Sequence, residues 1–331
     1  MRPADGGRQT PLGLVAITTY FNPAGYRNRL LNFRTFREHL RVPLVAVEFS
    51  PTADFHLHSD DAEVLIQLAD GDVMWQKERL LNVAIAALPE CEAVAWLDCD
   101  VVLLAQDWVK RTLRRLDDCK LVQPFSRVTE TAPGASPTLS PDARTRPSFT
   151  YQYQAGAIGD RELATWRVGH DPVPLHCGYA WAARRELLVT HGLYDASIVG
   201  GATREIATAA LGELDALATC RARTPAQLDH VLAWAKPFAR DVAGEVGCIP
   251  GDLAHLWHGR TADRGYGVRY QVLVDNCFNP QSDIEHTGGC WRWASDKPGL
   301  HEGVFRYFAS RREDGGDARQ AHGTQPGAVS A

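Results

Sequence analysis

The sequence contains no long apolar run, and this absence argues against a membrane-spanning protein. No stretch approaches the ~18 uninterrupted apolar residues of a transmembrane helix. Residues 1–12 are polar and lack the apolar segment of a secretory signal. The eight cysteines include no CxxC pair, and some fall inside apolar segments, which is typical of free thiols in a reducing compartment. We therefore expect a cytoplasmic protein with no transmembrane segment and no disulfide framework.

A strong charge of either sign is also missing. The formal net charge is −5 and the pI is near 6.2, so composition gives no general signal for binding polyanions. Arginines are frequent enough for a local basic groove, and no internal repeat is visible. A hydrophobic content of 45% with nine tryptophans permits a substantial core within 331 residues, enough for one large domain or two ordinary ones.

Short apolar segments alternate with segments of helical periodicity, a pattern typical of α/β proteins. Strands are predicted at 12–18, 44–47, 64–68, 93–97 and 121–125. Helices are predicted at 26–40, from a start within 74–82, and at 107–116, 184–191, 203–211 and 225–235. The segment 129–148 is rich in proline and poor in apolar residues, and we expect a mobile loop or insertion there, either disordered or a lid over the site. The predicted architecture is a mixed, mostly parallel sheet flanked by helices.

One predicted strand stops at two acids that are one residue apart. Residues 93–97 are apolar at every position, as in a strand buried on both faces, and Asp98 and Asp100 follow at its carboxyl end. Ligands of α/β sheets gather at these ends. Two carboxylates at this spacing can face one hard cation that also holds phosphate oxygens. The apolar run resumes directly at 101–104, so the acids interrupt core structure, which is unusual for a turn in water.

Further polar residues at predicted element ends suggest a nucleotide. Thr19 and Tyr20 close the first strand before a loop containing Pro and Gly, where a nucleotide would lie. Glu48 ends the second strand and could accept hydrogen bonds from a base or ribose. Lys77 and Arg79 lie in the first turn of a helix, where the helix dipole favours acids, so two cations there suggest a bound anion such as a diphosphate. Each feature has an alternative interpretation: a connecting turn for the loop at Thr19 and Tyr20, a surface acid for Glu48, and a solvated helix face for Lys77 and Arg79.

Taken together, the sequence resembles the GT-A-fold glycosyltransferases, nearest to the broad family-2-like group. The resemblance covers about residues 12–269 and depends on five segments in the expected order. They are Thr19-Tyr20, the basic helix with Lys77, Arg79 and Asn82, the DxD motif Asp98-Cys99-Asp100, the segment from Gly178 through Arg184-Arg185-Glu186 to Asp195, and His255-Leu256-Trp257-His258-Gly259. The last segment resembles a late His segment of the polypeptide N-acetylgalactosaminyltransferases, where one His completes the metal site.

The resemblance implies a GT-A (Rossmann-like) fold with a single catalytic domain at 12–310. A nucleotide-sugar half would span 12–127, a mobile loop 128–150, and an acceptor and metal half 151–310. Disordered segments are expected at 1–11 and 311–331.

The resemblance also implies the chemistry. Sugar transfer from a nucleotide-sugar, with uridine diphosphate as the expected carrier, leaves a diphosphate whose growing negative charge a divalent ion offsets. Asp100 would be a direct ligand of Mn²⁺ or Mg²⁺, with Asp98 binding the ribose or a metal-bound water, and His258 would be a further ligand. Trp181 is among the aromatic residues that could form a floor under a sugar.

The general base is the point at which the sequence departs from the family. Many inverting members carry an acid pair after the segment that ends here at Asp195, and 200–205 contains only Glu205. Either Glu205 or Asp195 would accept the proton of the acceptor, or the mechanism is retaining and the leaving phosphate assists. Inversion and retention both remain open.

Other functions also remain open. A non-catalytic nucleotide-sugar-binding protein would keep the sheet without the base. A sugar nucleotidyltransferase would normally have a Gly-rich, basic loop after the first strand, whereas 18–28 offers only Gly25 and Arg27. A zinc site built from Cys248, His255, His258 and Cys290 lacks paired spacing. The acceptor, whether a protein, small molecule, glycan or modified nucleic acid, and the oligomeric state are not predicted.

Overall fold

The computed structural model describes residues 12–138, 145–159, 162–163, 175, 177–219, 221–265 and 268–315. Within these ranges the strands are β1 (Leu12–Phe21), β2 (Leu44–Phe49), β3 (Val64–Leu68), β4 (Cys91–Leu97), β5 (Val101–Leu103), β6 (Leu121–Gln123), β7 (Arg127–Glu130), β8 (Thr145–Pro147), β9 (Ala180–Arg184), β10 (Val246–Cys248), β11 (Asp252–His255), β12 (Ile284–Glu285) and β13 (Arg292–Trp293). The helices are Arg27–His39, Lys77–Ala86, Trp108–Arg115, Phe149–Gln154, Arg185–His191, Ala202–Ala210, Leu214–Thr219, Pro225–Val242, Gln271–Asp275, Pro280–Asp283 and Pro298–Ala309.

A seven-stranded sheet forms the centre of the fold, with the order β10-β6-β9-β4-β1-β2-β3. The pairs β4–β1, β1–β2, β2–β3 and β10–β6 are parallel, and β9 runs antiparallel between β4 and β6. This arrangement confirms the predicted mixed, mostly parallel sheet flanked by helices. Because helices cover both faces, the apolar runs of β1 and β4 are buried on both sides.

Alternate residues of the central strands contribute to two separate cores. Val15, Ile17, Val94 and Trp96 belong to the core on one face, whereas Leu14, Ala16, Ala93 and Ala95 belong to the core on the other. This alternation follows from the period of two along a strand. Burial on both faces makes the register of β4 rigid, so the residues that follow Leu97 start from a fixed position.

A second, four-stranded sheet has the order β5-β11-β7-β8 and stands beside the carboxyl end of β4. Its strand β8 and all of β7 except Arg127 fall inside the predicted mobile loop at 128–150, and the helix Phe149–Gln154 begins at the end of that loop. That prediction is wrong for 128–130 and 145–150, because pairing with β11 and β7 supplies order that composition does not reveal. Residues 139–144 lie outside the described residues.

The two predicted disordered ends have different outcomes. Residues 1–11 and 316–331 lie outside the described residues. Residues 311–315 are described, and Arg311 and Glu313 are 5% and 1% exposed, so the predicted tail starts too early. Asp314 accepts hydrogen bonds from the backbone N–H groups of Arg27 and Asn28, which fixes this segment over the start of the first helix. No helix in the described ranges is long and apolar enough to cross a membrane.

Candidate functional site

The DxD segment lies where the two larger sheets meet. Asp98 follows the last residue of β4, and three residues later, at Val101, β5 begins in the second sheet. β5 pairs antiparallel with β11, which places His255 opposite Val101. The N–H of Leu256 donates to the carbonyl of Asp100 at 2.8 Å. This pairing brings a histidine segment more than 150 residues away in sequence against the second acid of the motif.

Asp100, His255 and His258 form a compact cluster. Their potential ligand atoms all lie within 4.8 Å of one another. Oδ2 of Asp100 lies 3.3 Å from Nε2 of His258, and Oδ1 lies 3.8 Å from Nε2 of His255. The two Nε2 atoms are 3.1 Å apart. Ligands bound at ~2.1 Å from a common ion have separations of roughly this size, so the geometry fits one metal ion.

The charges of the cluster suit the same role. Burial, followed by the positive charge of Arg264, lowers the pKa of His255 to about 4, and the same causes hold the pKa of His258 well below its usual value. Both imidazoles are therefore neutral and carry a lone pair. Burial and the nearby Asp98 raise the pKa of Asp100 to about 7. Oδ1 of Asp100 is buried and accepts no hydrogen bond from the described residues, as expected of an atom that binds an ion.

Asp98 has a different partner from Asp100. It forms an ion pair with Lys77, at the start of the helix Lys77–Ala86, and it is not part of the metal-ligand cluster. The negative charge of Asp98 raises the pKa of Lys77 above its ordinary value, although burial acts in the opposite direction. The two acids therefore have different partners, and the role of Asp98 as a metal ligand stays a prediction.

An open cavity of about 280 Å³ adjoins the cluster. Of the predicted site residues, Thr19, Lys77, Asp98, Asp100 and His258 line it. The loop after β1 contributes Pro23, Ala24 and Tyr26 to the same wall, as expected of a nucleotide-binding edge.

Tyr179 shapes this cavity from a strained backbone. Its φ is 80°, which is rare for an aromatic residue, and its carbonyl accepts a hydrogen bond from the N–H of Asp98 at 2.8 Å. Its ring packs against His255 with centroids 4.7 Å apart. Such strain is typical of residues held in place at functional sites, and here it fixes both the DxD backbone and a histidine ring.

Two residues predicted to bind the nucleotide do not line the cavity. Tyr20 is 1% exposed and packs edge-on against Phe33, because alternate residues of β1 face opposite sides of the sheet. Glu48 is also 1% exposed, and it accepts hydrogen bonds from the N–H groups of His56 and Leu57 and from the side chain of Gln67. Glu48 therefore organises the loop between β2 and β3.

Lys77 and Arg79 do not form a joint anion site. Residues two apart on a helix point about 200° apart, so only Lys77 faces the cavity. Arg79 forms an ion pair with Asp195 at 3.1 Å, and Asn82 donates to the same carboxylate at 2.9 Å. Asp195, predicted as a base, thus belongs to a network that joins this helix to the segment after Arg185–His191 and does not line the cavity.

Glu205, the other predicted base, is enclosed in an ion-pair cluster. It is fully buried, forms ion pairs with Arg221 and with Arg223, the latter at 3.2 Å, and accepts a hydrogen bond from Ser197 at 2.5 Å. A carboxylate held in this way cannot reach an acceptor hydroxyl in the cavity. From the sequence alone, Glu205 could lie on the buried or on the exposed face of the helix Ala202–Ala210. The partner arginines, which the sequence does not place beside it, are what show that it lies on the buried face.

The structure also contradicts the prediction of Trp181 in a sugar-binding floor and the alternative of a zinc site with Cys248 and Cys290. Trp181 is 1% exposed and stacks on Trp96 with centroids 6.4 Å apart, so it belongs to the core and does not form a sugar-binding floor. Cys248 is beside Gln154, and Cys290 packs near Gly71. Neither cysteine joins the cluster of Asp100 with the two histidines, and the described cysteines are free.

Several site residues were not found from sequence. Glu313 binds Arg29 and Arg311, and its Oε2 lies 4.0 Å from Nδ1 of His258. Arg264 donates to Nε2 of His258 at 2.9 Å. Arg264, Arg311 and Glu313 occur in polar segments without periodicity, so their positions on the cavity wall become visible only in the structure.

No protein-family model matches this sequence, and no curated protein matches it. Similar solved structures include glucosyl-3-phosphoglycerate synthase from Mycobacterium tuberculosis in complex with Mg²⁺ and uridine diphosphate, at 13% identity over 83% of each chain with a TM-score of 0.41. They also include the mannosyltransferase PcManGT from Pyrobaculum calidifontis with GDP-Man and Mn²⁺, at 14% identity over 89% of this chain and 70% of that chain with a TM-score of 0.39. A 4-diphosphocytidyl-2C-methyl-D-erythritol synthase from Anaerococcus prevotii is similar at 12% identity over 72% of this chain and 87% of that chain, with a TM-score of 0.34. These similarities carry no information about the reaction of this chain.

Proposed function

We propose that this protein is a metal-dependent glycosyltransferase that uses a nucleotide-sugar, with uridine diphosphate as the expected carrier. The observation that carries the proposal is the convergence of Asp100, His255 and His258 at the wall of a cavity on the carboxyl edge of the sheet. That edge is where α/β folds bind nucleotides. A cation beside a nucleotide cavity fits the chemistry of a departing diphosphate.

Each residue of the cluster has a defined role in the proposal. Asp100, His255 and His258 hold the ion, which when bound supplies a Lewis acid for the diphosphate oxygens. Lys77, held by Asp98, and Arg264, beside His258, add positive charge on the same wall. Thr19 and the loop after β1 would contact the nucleoside.

The ligand set favours Mn²⁺ over Mg²⁺. Mg²⁺ prefers oxygen ligands in octahedral geometry and dehydrates reluctantly. A set of two imidazoles and one carboxylate is softer than such a site, and transition metals accept it more readily. Mg²⁺ would support the reaction less well at equal concentration.

We favour retention of the anomeric configuration. Among the described residues that line the cavity, the carboxylates are Asp98, Asp100 and Glu313, which face Lys77, the histidines and two arginines, respectively. Both sequence-predicted bases, Glu205 and Asp195, lie elsewhere. The proton of the acceptor hydroxyl would then pass to the leaving phosphate oxygen. An NMR measurement of the anomeric configuration of the product would test this, and an inverted product would contradict it.

A non-catalytic nucleotide-sugar-binding protein is the second candidate, because Glu205 is tied into a buried ion-pair cluster and Asp195 into a partly buried one. It predicts metal-dependent binding without transfer or donor hydrolysis. A nucleotidyltransferase has no specific observation in its favour, and release of pyrophosphate from a nucleoside triphosphate would support it.

The test uses a panel of nucleotide-sugars, each with and without Mn²⁺. For each one, the melting temperature of the protein and the release of the nucleoside diphosphate are measured. One donor should stabilise the parent only with Mn²⁺, since a ligand that binds the folded state raises its stability. Asp100→Asn should lose this effect, while Asp107→Asn, an exposed acid in an i,i+4 ion pair, should retain it. If no donor stabilises the parent under any condition, the proposal fails.

A further inference from the structure

A buried carboxylate, that of Glu313, lies behind one histidine of the metal-ligand cluster. Glu313 is 1% exposed, and its Oε2 is 4.0 Å from Nδ1 of His258. The other ring nitrogen, Nε2, faces Oδ2 of Asp100 at 3.3 Å. The two nitrogens of His258 therefore have different surroundings, with the candidate ion site at Nε2 and a second carboxylate at Nδ1.

The partner of Nε2 determines which nitrogen of His258 carries the hydrogen. A guanidinium group of Arg264 lies 2.9 Å from Nε2, and a guanidinium can donate a hydrogen bond but cannot accept one. Nε2 must therefore supply its lone pair, which excludes the protonated imidazolium as well. A neutral imidazole with a lone pair on Nε2 has its hydrogen on Nδ1, on the side of Glu313.

One oxygen of Glu313 is available to attract this hydrogen. Oε1 accepts hydrogen bonds from Arg29 at 2.8 Å and from Arg311 at 2.7 Å. Oε2 is in ion-pair contact with Nε of Arg29 at 2.5 Å, but it is buried and accepts no hydrogen bond from the described residues. At 4.0 Å its attraction to Nδ1–H is electrostatic, and a shift of about 1 Å would make it a hydrogen bond.

Glu313 is held in place by the C-terminal strap, which we define as residues 311–315. The carboxylate of Asp314 accepts hydrogen bonds from two backbone N–H groups at the start of the first helix, at 2.9 and 2.8 Å. The carbonyl of Glu313 accepts a hydrogen bond from the side chain of Asn28 at 3.1 Å. These contacts fix the backbone at and beside Glu313, so its carboxylate is positioned by the fold.

The C-terminal strap also packs closely against the loop that carries His258. Gly259, the next residue, has φ 91°, and a Cβ there would lie 2.9 Å from the carbonyl oxygen of Arg312 and 2.9 Å from Cα of Glu313. A side chain at this position would push the two backbones apart. The glycine thus permits the approach that places the carboxylate beside the ring.

The two histidines of the cluster are supported in different ways. The ring of His255 packs against that of Tyr179, with centroids 4.7 Å apart. Histidines that bind metals usually direct the other ring N–H to a carboxylate, a carbonyl or a water, which fixes both the tautomer and the orientation of the ring. Glu313 is the acid that occupies this position for His258.

We infer that Glu313 is a positioning residue for His258: its carboxylate stabilises the Nδ1–H tautomer and so directs the lone pair of Nε2 at the ion. This inference rests on the proposed function for the role of His258 as a metal ligand. Glu313 acts through the ring of His258, and the tautomer of that ring can be measured separately in metal-free protein.

Nitrogen NMR of metal-free protein with ¹⁵N-labelled histidine tests the tautomer, with the signals of His258 assigned by their loss in His258→Gln. The parent should have a protonated Nδ1 and an unprotonated Nε2. In Glu313→Gln the share of the Nε2–H tautomer should rise, because the charge that favours Nδ1–H is removed. A parent ring protonated on Nε2, or the same tautomer populations in Glu313→Gln as in the parent, would overturn the inference.

Calorimetric titration with Mn²⁺ alone tests the consequence for the metal site. The Kd for Mn²⁺ should rise roughly tenfold or more in Glu313→Gln, since the outer partners of metal ligands contribute 10–100-fold to affinity. Glu313→Asp keeps the charge and should recover part of the loss. Asp314→Asn is the matched control, because it changes the same strap at a side chain that faces the first helix, and it should leave the Kd unchanged. An equal loss in Asp314→Asn would assign the effect to a loosened strap and overturn the inference.

A double-mutant cycle separates positioning of the ring from simple attraction between Glu313 and the cation. In a His258→Ala background, Glu313→Gln should have no further effect on the Kd for Mn²⁺, because the ring through which it acts is gone. An equal loss in both backgrounds would show direct attraction and contradict the inference. If Glu313→Gln does not fold, Glu313→Asp replaces it in the cycle, and the tautomer of the parent still decides.

The outcomes separate this inference from the proposed function. If the parent binds no Mn²⁺ but the tautomer of His258 depends on Glu313, then Glu313 positions the ring and the proposed function loses its metal. If Mn²⁺ binds the parent and Glu313→Gln with equal affinity, the inference fails and the proposed function stands.

Discussion

The partly buried Asp100 and the fully buried Glu205 illustrate two different uses of one kind of side chain. Asp100 faces two neutral histidines, and one of its oxygens accepts no hydrogen bond from the described residues. Glu205 is bound by two arginines and a serine hydroxyl. Burial alone therefore does not mark a catalytic acid. An acid whose oxygens are all paired stabilises the fold, whereas an acid with an unpaired buried oxygen is prepared for a ligand.

The largest expected effect is the loss of stability on substitution of Glu205. Glu205→Gln removes the negative charge that Glu205 places beside the buried side chains of Arg221 and Arg223, and the free energy of unfolding should fall by about 3–5 kcal/mol. Urea unfolding measures this. Glu302→Gln is the control, since Glu302 is 68% exposed and its ion pair with Arg306 should contribute under about 1 kcal/mol. A Glu205→Gln variant of parental stability would remove the contrast between the two acids.

Asp100→Ala should have the opposite effect to Glu205→Gln: a large loss of transfer activity and no loss of stability. Removing the only carboxylate of the metal-ligand cluster should reduce transfer by roughly 100-fold or more, because metal sites lose 10–100-fold even when outer partners change. Stability without metal should stay equal or rise, since a buried oxygen without a hydrogen bond is removed. Steady-state transfer and urea unfolding on the same preparation test both parts. Full activity of this variant would exclude the proposed metal role.

His255 sharpens the comparison, because it was not predicted as a ligand. Either His255→Ala or His258→Ala should weaken Mn²⁺ binding about 10–100-fold, measured by calorimetric titration. His39→Ala, an exposed histidine on the first helix, is the control. An effect confined to His258 would reduce the cluster to two ligands.

The smallest expected effect distinguishes Lys77 from Arg79, which both lie in the first turn of the helix Lys77–Ala86. Lys77→Gln should weaken binding of uridine diphosphate with Mn²⁺ about tenfold through the loss of one charge-assisted contact. Arg79→Gln should leave that affinity unchanged and lower stability instead, since Arg79 pairs with Asp195. Equal losses of affinity in the two variants would restore the joint anion site predicted from sequence.

The sequence predicted local features better than contacts between distant segments. The strand before Asp98, the helix from Lys77 and the strand at Val64–Leu68 follow from apolar periodicity and lie close to their predicted bounds. The DxD segment could be placed at the edge of the sheet for the same reason.

The partners of these residues could not be predicted. The approach of His255 to Asp100 depends on antiparallel pairing between β5 and β11, two short strands whose sequences do not specify each other. Glu205 was predicted as a base because nothing in the sequence places Arg221 and Arg223 against it. Arg311 and Glu313 lie in a charged, Gly-rich segment whose order comes only from contact with the first helix and the cavity.

The most direct test of the central claim is electron paramagnetic resonance of the Mn²⁺-loaded protein with pulsed detection of nitrogen couplings. Two histidine nitrogens should couple to the ion in the parent, one in His255→Gln and one in His258→Gln, with bound Mn²⁺ lost in Asp100→Ala. Coordination by oxygen alone, or Mn²⁺ binding unaffected by Asp100→Ala, would contradict the assignment of this cluster as the metal centre.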